Sequence, residues 1–448
     1  MKKLFKTLSA MLVTAVAMTA LVVPVSAETQ YTAIPGNKVT FYKTLIVDKD
    51  AKIPNLEFTF KTTAGDAVAS PAAGQLPILA GTGTIADATV TFAPGSTVDA
   101  KNAHSVAADY KTVTLPVQVD LTKASYDEPG IYRYYITEQN GSTKVVYDVD
   151  NTPAATAGNR VRTLDVYVED TGAATPTLAV TGYVMYLGKV TGAPSIGTDP
   201  TNGTAIDSST EVTITGDGIY VENRTGTGAT GATTEKTNYI MNLYKTHDLT
   251  FGKEVIGNQG SRDKYFKVTV TCTGLNDADK FPVDMSSHAV KEPTKNSATT
   301  YAAADMKSAN NITELTGAQL AAGHDFYLQD GNYVTILGLP EGYDYTITEA
   351  AEDYTSKVKI AKADSSLDWN SAEDGNDALS NDLTGTNVTT DIHTGFTNEK
   401  KGLIPTGVLL VATPVIIVAL IAIAGVVFFA VRSAKSRAQE DEAETAEE

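Results

Sequence analysis

The stretch PGIYRYYITE at residues 129–138 returns as PEGYDYTITE at residues 340–349. Both copies carry Tyr, Tyr, Ile, Thr and Glu at identical places and end in glutamate, at Glu138 and Glu349. Because side chains two apart on a strand share one face, each glutamate is expected to close an inward-facing row. Other alternating segments rich in Val, Thr, Tyr and Phe are separated by Gly, Asn, Asp and Pro. The sequence therefore predicts an all-β protein with two related β-sandwiches in tandem.

A lysine interrupts an otherwise apolar period-two row near the start of each repeat. Lys43 precedes Glu138 by 95 positions, and Lys253 precedes Glu349 by 96. This shared spacing predicts that lysine and glutamate belong to one site in each domain. Lys245 is a rival to Lys253, because Tyr-Lys-Thr occurs both around it and around Lys43. The spacing to Glu349 favours Lys253.

Each repeat also closes on a strand pattern that ends in asparagine, at Asn223 and at Asn398. Lysine, glutamate and asparagine on inward faces suit one reaction, in which the lysine amine attacks the asparagine side-chain carbonyl and ammonia leaves. Burial favours the neutral forms of lysine and glutamate, so the glutamate can move protons during this reaction. The alternative is a buried ion pair with a hydrogen-bonded asparagine. Buried pairs seldom stabilise more than apolar replacements do, so their recurrence in two halves favours an isopeptide bond, made once per domain without turnover.

Composition excludes several classes of function. A net charge of −18 and a pI near 4.7 argue against nucleic-acid binding, which needs a basic surface. A single cysteine rules out an internal disulfide, and five scattered histidines show no metal-ligand spacing. We therefore predict no metal and no cofactor. Glu138 and Glu349 fall in separate predicted domains, which argues against the paired carboxylates of a hydrolase.

Both ends of the chain carry targeting signals. Residues 1–27 combine lysines, an apolar run and a small-residue end at Ala27, which is typical of a cleaved signal peptide. Residues 408–431 are almost unbroken in apolar character and long enough to span a membrane. Basic residues follow at once, so residues 432–448 are expected to be a cytoplasmic tail.

The sequence between these ends divides into two domains. A linker rich in Gly and Thr suggests a first domain at 28–223, a linker at 224–246 and a second domain at 247–400. Residues 401–407 then lead into the membrane span. This last segment contains the pentapeptide Leu403, Ile404, Pro405, Thr406 and Gly407.

The order of pentapeptide, apolar span and basic tail resembles a sortase sorting signal. Sortases cut such signals between threonine and glycine, so the resemblance implies an acyl-enzyme on the Thr406 carbonyl. In the common form, Leu-Pro-x-Thr-Gly, the proline stands one place earlier than Pro405 does.

These motifs together resemble the major backbone pilins of Gram-positive pili, of the streptococcal T-antigen kind. The resemblance covers nearly the whole chain between its processed ends. It implies two immunoglobulin-like sandwiches, each with a lysine–asparagine isopeptide between its first and last strands and a catalytic glutamate. The residues it assigns are Lys43, Glu138 and Asn223 in the first domain and Lys253, Glu349 and Asn398 in the second.

The same resemblance implies a place of assembly and a set of partners. Family pilins are polymerised by a sortase, which joins the threonine of one subunit to a lysine near the end of the next subunit's first domain. Lys189 is the candidate for that lysine. The implied partners are a sortase, identical subunits, minor pilins, peptidoglycan and host surface ligands, on a fibre anchored to the cell wall. A wall-anchored adhesin with the same bonds but without polymerisation is the alternative.

Overall fold

The structure is a computed structural model. It describes residues 32–69, 76–97, 105–139, 141–142, 144–147, 160–172, 177–193, 211–215, 218–221, 237–285, 301–350, 352–361, 378–402, 423 and 426–427. The predicted signal peptide at 1–27 and pentapeptide at 403–407 lie outside the described residues, as does nearly all of 408–431. Among the residues described, no helix is long and apolar enough to cross a membrane.

The first half is built of strands, of which Leu56–Ala64 and Ala88–Phe92 alternate buried and less buried side chains as the sequence predicts. A short 3₁₀ turn at Pro35–Asn37 precedes them. The strands are β1 (Lys38–Asp48), β2 (Leu56–Ala64), β3 (Ile78–Ala80), β4 (Ala88–Phe92), β5 (Ser105–Val106), β6 (Tyr110–Asp120), β7 (Gly130–Glu138), β8 (Val145–Tyr147), β9 (Val161–Asp170), β10 (Leu178–Leu187), β11 (Glu211–Thr215), β12 (Gly218–Val221) and β13 (Tyr239–Tyr244).

Two sheets of this half face each other across an apolar core. In the described part of the chain, one sheet has the order β6-β1-β13-β8, and the other has the order β10-β9-β7-β2-β4 with β3 beside β7. Phe41 on β1 and Phe60 on β2 meet edge to face, with ring centroids 5.0 Å apart. A third, small sheet has the order β12-β11-β5. The two facing sheets place β1 and β7 on opposite sides of one core.

The second half contains β14 (Thr246–Ile256), β15 (Phe266–Thr273), β16 (Lys280–Asp284), β17 (Glu314–Thr316), β18 (His324–Leu328), β19 (Tyr333–Pro340), β20 (Tyr343–Glu349), β21 (Thr355–Ala361), β22 (Ala378–Leu379), β23 (Asp382–Val388) and β24 (Ile392–Glu399). Its described strands form one sheet of order β17-β16-β19-β14-β24-β21-β22 and one of order β18-β15-β20-β23. Phe251 and Phe326 join the two sheets, with ring centroids 5.5 Å apart. Both halves are thus mostly β, as the sequence predicts.

In the described part of the second half lie two short helices, which the sequence analysis did not predict. They are α1 (Ala303–Asn310) and α2 (Gly317–Ala322). Helix α2 begins with a capping box, in which the Thr316 hydroxyl accepts from the Gln319 N–H and the Gln319 side chain accepts from the Thr316 N–H.

The prediction that residues 224–246 form a linker is wrong for the last third of this range. Strand β13 lies within it and pairs in parallel with β1, with Lys43 opposite Ile240 and Leu45 opposite Asn242. The first sandwich therefore ends at Tyr244, and only Lys245 separates it from β14. The apolar strand Tyr239–Tyr244 is fully buried, which is why it belongs to a core rather than to a solvated linker.

The two sandwiches touch through a loop of the first half. Asp279 Oδ1 accepts hydrogen bonds from the backbone N–H and the side-chain amide of Asn55, at 2.6 and 2.9 Å. The side-chain amide of Asn276 donates to the Asn55 carbonyl at 2.9 Å. Gly338 lies against Ala51, so closely that a Cβ added to Gly338 would stand 2.7 Å from the Ala51 Cβ. These contacts connect the two cores at one junction.

Candidate functional site

In the first sandwich, a lysine and a glutamate from facing sheets meet inside the core. Lys43 on β1 has no exposed surface, and Glu138 at the end of β7 is 2 % exposed. The Lys43 Nζ lies 2.8 Å from the Glu138 Oε1. The period-two rows that identified both residues in the sequence thus converge at one point.

The asparagine at this point is Asn242. It is fully buried on β13, and its Nδ2 donates to Glu138 Oε1 at 2.8 Å. Asn223, which the sequence analysis assigned to this position, lies outside the described residues. The assignment of Asn223 gives way to Asn242, because β13 is the strand that pairs with β1 and its register brings Asn242 beside the Lys43–Glu138 pair.

The second sandwich repeats this arrangement with the predicted residues. Lys253 on β14 and Asn398 on β24 are fully buried, and Glu349 at the end of β20 is 2 % exposed. The Lys253 Nζ lies 2.6 Å from the Glu349 Oε1, and the Asn398 Nδ2 donates to the same oxygen at 3.3 Å. The structure therefore brings Lys253, Glu349 and Asn398 together. Lys245 is instead partly exposed, with its Nζ 3.9 Å from Glu341.

Strand register explains why the two sites match. Strand β14 pairs in parallel with β24, with Lys253 opposite Phe396 and Val255 opposite Asn398. In each sandwich the asparagine therefore stands opposite the residue two positions after the lysine, on the same face. Asn242 and Asn398 occupy equivalent positions by this criterion.

An aromatic ring covers the lysine in each site. The Lys43 Nζ lies 4.5 Å from the centroid of the Phe58 ring, and the Lys253 Nζ lies 4.5 Å from that of Phe266. Both rings sit two positions before the residue that pairs with the glutamate, since Phe60 pairs with Glu138 and Val268 with Glu349. Sequence reasoning did not identify these rings, although each lies in a clear period-two row.

Burial changes the acid–base behaviour of the second site. Removal from water lowers the pKa of Lys253 from 10.5 to about 8, although the adjacent Glu349 carboxylate opposes this shift. The neutral amine, which is the nucleophilic form, is therefore reachable near physiological pH. An amine, a carboxamide and a carboxyl group that touches both can exchange protons without water.

Lys189 follows β10 and lies on the surface of the first sandwich. Its Nζ is 3.2 Å from Asp66 Oδ2 and 4.8 Å from the centroid of the Tyr135 ring. The side chain is 54 % exposed. Lys189 is thus accessible to another molecule, which a lysine that joins subunits would have to be.

A protein family model and a curated protein both match this chain. Residues 39–185 match the family described as the Spy0128-like isopeptide containing domain, a range that includes Lys43 and Glu138. A curated protein of Streptococcus pyogenes serotype M1, named Pilin, is 22 % identical over 408 residues, which cover 89 % of this chain and 91 % of that protein. The chain is similar to a streptococcal pilin. The resemblance seen in the sequence is thereby confirmed.

Further matches cover the second half and the solved structures. Residues 247–400 match a domain of unknown function, DUF7601, a range that holds Lys253, Glu349 and Asn398. The crystal structure of the major pilin from Streptococcus pyogenes is 20 % identical and covers 82 % of this chain and 100 % of its own, with a TM-score of 0.47. The major pilin T3.2 from the same species is 16 % identical and covers 82 % and 98 %, also with a TM-score of 0.47.

Proposed function

We propose that this pilin-like chain is a structural subunit of a surface pilus in a Gram-positive bacterium, with each sandwich closed by an internal lysine–asparagine isopeptide bond. The observation that carries this proposal is the same buried lysine, glutamate and asparagine in both sandwiches, in the same strand register. Isolated buried ion pairs offer little stability over apolar side chains. An isopeptide bond between the lysine and the asparagine would explain why the same three residues occur in both sandwiches.

The reaction can be written for the second sandwich with all atoms accounted for. The neutral Lys253 amine attacks Cγ of Asn398, so a bond forms from Nζ to Cγ, and the bond from Cγ to Nδ2 breaks. A proton from the amine must reach the departing Nδ2, which leaves as ammonia. Oε1 of Glu349 touches both nitrogens, so Glu349 can carry that proton from one to the other.

In the first sandwich the corresponding bond joins Lys43 to Asn242. Glu138 Oε1 again contacts both nitrogens, each at 2.8 Å. Each bond is made once, so the chain is proposed to be a structural protein without enzymatic turnover.

Assembly of the subunits is proposed to follow the sorting signal at residues 403–407. A sortase would cut after Thr406 and transfer the Thr406 carbonyl to a lysine of the next subunit, and a final transfer to peptidoglycan would anchor the fibre to the cell wall. Residues 1–27 would direct export, and residues 408–431 would hold the precursor in the membrane until transfer.

The internal bonds restrict which lysine suits a fibre under tension. Tension that enters at Thr406 crosses the second sandwich through the Asn398–Lys253 bond and then reaches Asn242. Lys189 lies 53 positions before Asn242, a stretch of about 180 Å when extended, whereas Lys236 lies six positions before it, about 20 Å. Because the first sandwich ends at Tyr244, Lys236 is also nearer the domain end than Lys189. Lys236 is therefore a second candidate for the joining lysine.

Polymerisation is tested by extracting cell-surface protein from bacteria that express the chain and its sortase, and separating it on denaturing gels. We expect a ladder of heavy species that Thr406→Ala abolishes. Loss of the ladder in Lys189→Ala or in Lys236→Ala, but not in the other, identifies the joining lysine. A single band in the unaltered chain would contradict the fibre and support a wall-anchored adhesin that does not polymerise.

A further inference from the structure

A serine contacts one oxygen of the Glu349 carboxyl group, and the lysine contacts the other. Ser356 on β21 stands directly across from Asn398 in antiparallel register, so both side chains face the core. Ser356 is 6 % exposed, and its hydroxyl donates to Glu349 Oε2 at 2.9 Å.

The two oxygens of the Glu349 carboxyl group therefore have separate partners. Oε1 contacts the two nitrogens that exchange a proton in the proposed reaction, those of Lys253 and Asn398. Oε2 contacts the Ser356 hydroxyl. We propose that Ser356 is a positioning residue for the isopeptide reaction of the second sandwich, and that its hydroxyl directs the transferred proton to Oε1. This inference rests on the proposed function.

Glu349 needs such positioning because its carboxyl group can rotate. The last torsion of a glutamate is broad and roughly two-fold, so either oxygen can face the reacting groups unless something holds the other. A proton on Oε2 would point away from Lys253 and Asn398 and could not reach the leaving nitrogen. A hydroxyl that donates to Oε2 makes this oxygen the acceptor and leaves Oε1 to carry the proton. Such support by an outer hydrogen bond is a general requirement of preorganised sites.

The first sandwich differs at the equivalent position. Tyr147 on β8 stands across from Asn242, as Ser356 stands across from Asn398. The Tyr147 hydroxyl accepts from the Gly141 N–H at 2.9 Å rather than reaching the glutamate. Within the described part of the chain, Oε2 of Glu138 has no hydrogen-bond partner. The first bond therefore forms without a serine, which makes it an internal reference for the second bond in the same molecule.

The test follows both bonds in one refolding experiment. The chain is collected unfolded and unlinked in denaturant, refolded, and sampled over time. After tryptic digestion, mass spectrometry measures the linked fraction of each sandwich. We expect Ser356→Ala to slow formation of the second bond about ten- to hundredfold, because a hydrogen bond to a charged or proton-carrying group is lost. The first bond should keep its rate.

Two further variants separate the hydroxyl from a general effect on structure. Ser356→Thr keeps the hydroxyl and should restore the rate to within about threefold. Ser380→Ala removes another serine of the second sandwich, whose hydroxyl donates to the Asp382 carbonyl, and should leave both rates unchanged.

Three results would overturn the inference. One is an unchanged second-bond rate in Ser356→Ala, and another is a Ser356→Thr chain as slow as Ser356→Ala. Equal slowing of both bonds in Ser356→Ala would show a folding defect instead of a positioning role. If the unaltered chain forms no linked peptide in the second sandwich, the proposed function fails as well.

Discussion

At the scale of single residues, one glutamate oxygen in each sandwich contacts both the attacking lysine nitrogen and the asparagine side-chain nitrogen that would leave. Oε1 of Glu349 lies 2.6 Å from the Lys253 Nζ and 3.3 Å from the Asn398 Nδ2. This oxygen can take a proton from the attacking Lys253 amine and pass it to the leaving nitrogen. Because burial lowers the Lys253 pKa to about 8, about half of the amine is neutral at that pH.

The first prediction concerns the pH dependence of the second bond. Below pH 8 the Lys253 amine is mostly protonated, and above pH 8 it is mostly neutral. The rate of bond formation after refolding should therefore rise about tenfold for each pH unit below about pH 7 and level off above about pH 9. Timed tryptic peptide counts measure it. A rate that stays flat or falls through pH 8 would contradict attack by the neutral Lys253 amine.

Residue patterns in the sequence identified most of this site. Lys43, Glu138, Lys253 and Glu349 were found because each breaks or ends an apolar period-two row, which is a local signal. Ser356 was not found, because its partner Glu349 is on the other sheet and no local pattern records a contact across a core.

At the scale of elements, the parallel pairing of first and last strands decides the chemistry. Strand β1 meets β13, and β14 meets β24, each in the register that puts asparagine beside lysine. These partners are more than 140 positions apart in the sequence, so their register follows from the whole sandwich. Asn398 was predicted because its strand ends the second repeat, next to the sorting signal.

Asn242 was missed for an identifiable reason. The Gly- and Thr-rich segment after Asn223 suggested a domain boundary, and the motif around Lys245 suggested the start of a new repeat. The signal that could have found Asn242 is the apolar run Tyr239–Tyr244, in which asparagine shares a face with Ile240 and Tyr244. The helix α2 was missed in the same way, although its capping box is readable at Thr316 and Gln319.

The second prediction concerns the stability that a clamp between strands supplies. A bond between Lys253 and Asn398 closes a loop of 145 positions and restricts the unfolded chain. The chain-entropy estimate used for disulfides gives about 5 kcal/mol for such a loop. Asn398→Ala leaves the Lys253–Glu349 pair in place and should lower the free energy of unfolding of the second sandwich by about that amount, measured by denaturant titration.

A matched variant controls for the loss of a buried asparagine. Asn310 is 2 % exposed in the same sandwich and forms two hydrogen bonds with the Tyr327 backbone. Asn310→Ala should cost about 1–3 kcal/mol. Equal losses in the two variants would show that no covalent clamp contributes.

At the scale of the whole molecule, the two sandwiches are joined by a short link and a tight contact. Only Lys245 separates β13 from β14, and Gly338 of the second sandwich lies against Ala51 of the first. Gly338 has a φ of +72°, a conformation that favours glycine. A side chain there would meet both backbone strain and the Ala51 methyl group.

The third prediction tests this junction. Gly338→Ala should separate Ala51 from the second sandwich and break the bond from the Asn55 N–H to Asp279. Amide hydrogen exchange at Asn55 should then become faster. Gly331 is the matched control, with a φ of +80° and no atom within 4 Å of an added Cβ. Gly331→Ala carries the same backbone strain and should leave Asn55 protected; unchanged protection in both variants would exclude a tight junction.

The most direct test of the central claim is a mass measurement on the folded chain. Intact mass spectrometry of recombinant residues 28–402 should give a mass lower than the sequence mass by two molecules of ammonia. Tryptic digestion should yield one peptide pair that joins Lys43 to Asn242 and one that joins Lys253 to Asn398, and Asn242→Ala should remove only the first. The full sequence mass, or a first-sandwich linkage to Asn223 instead of Asn242, would contradict the account.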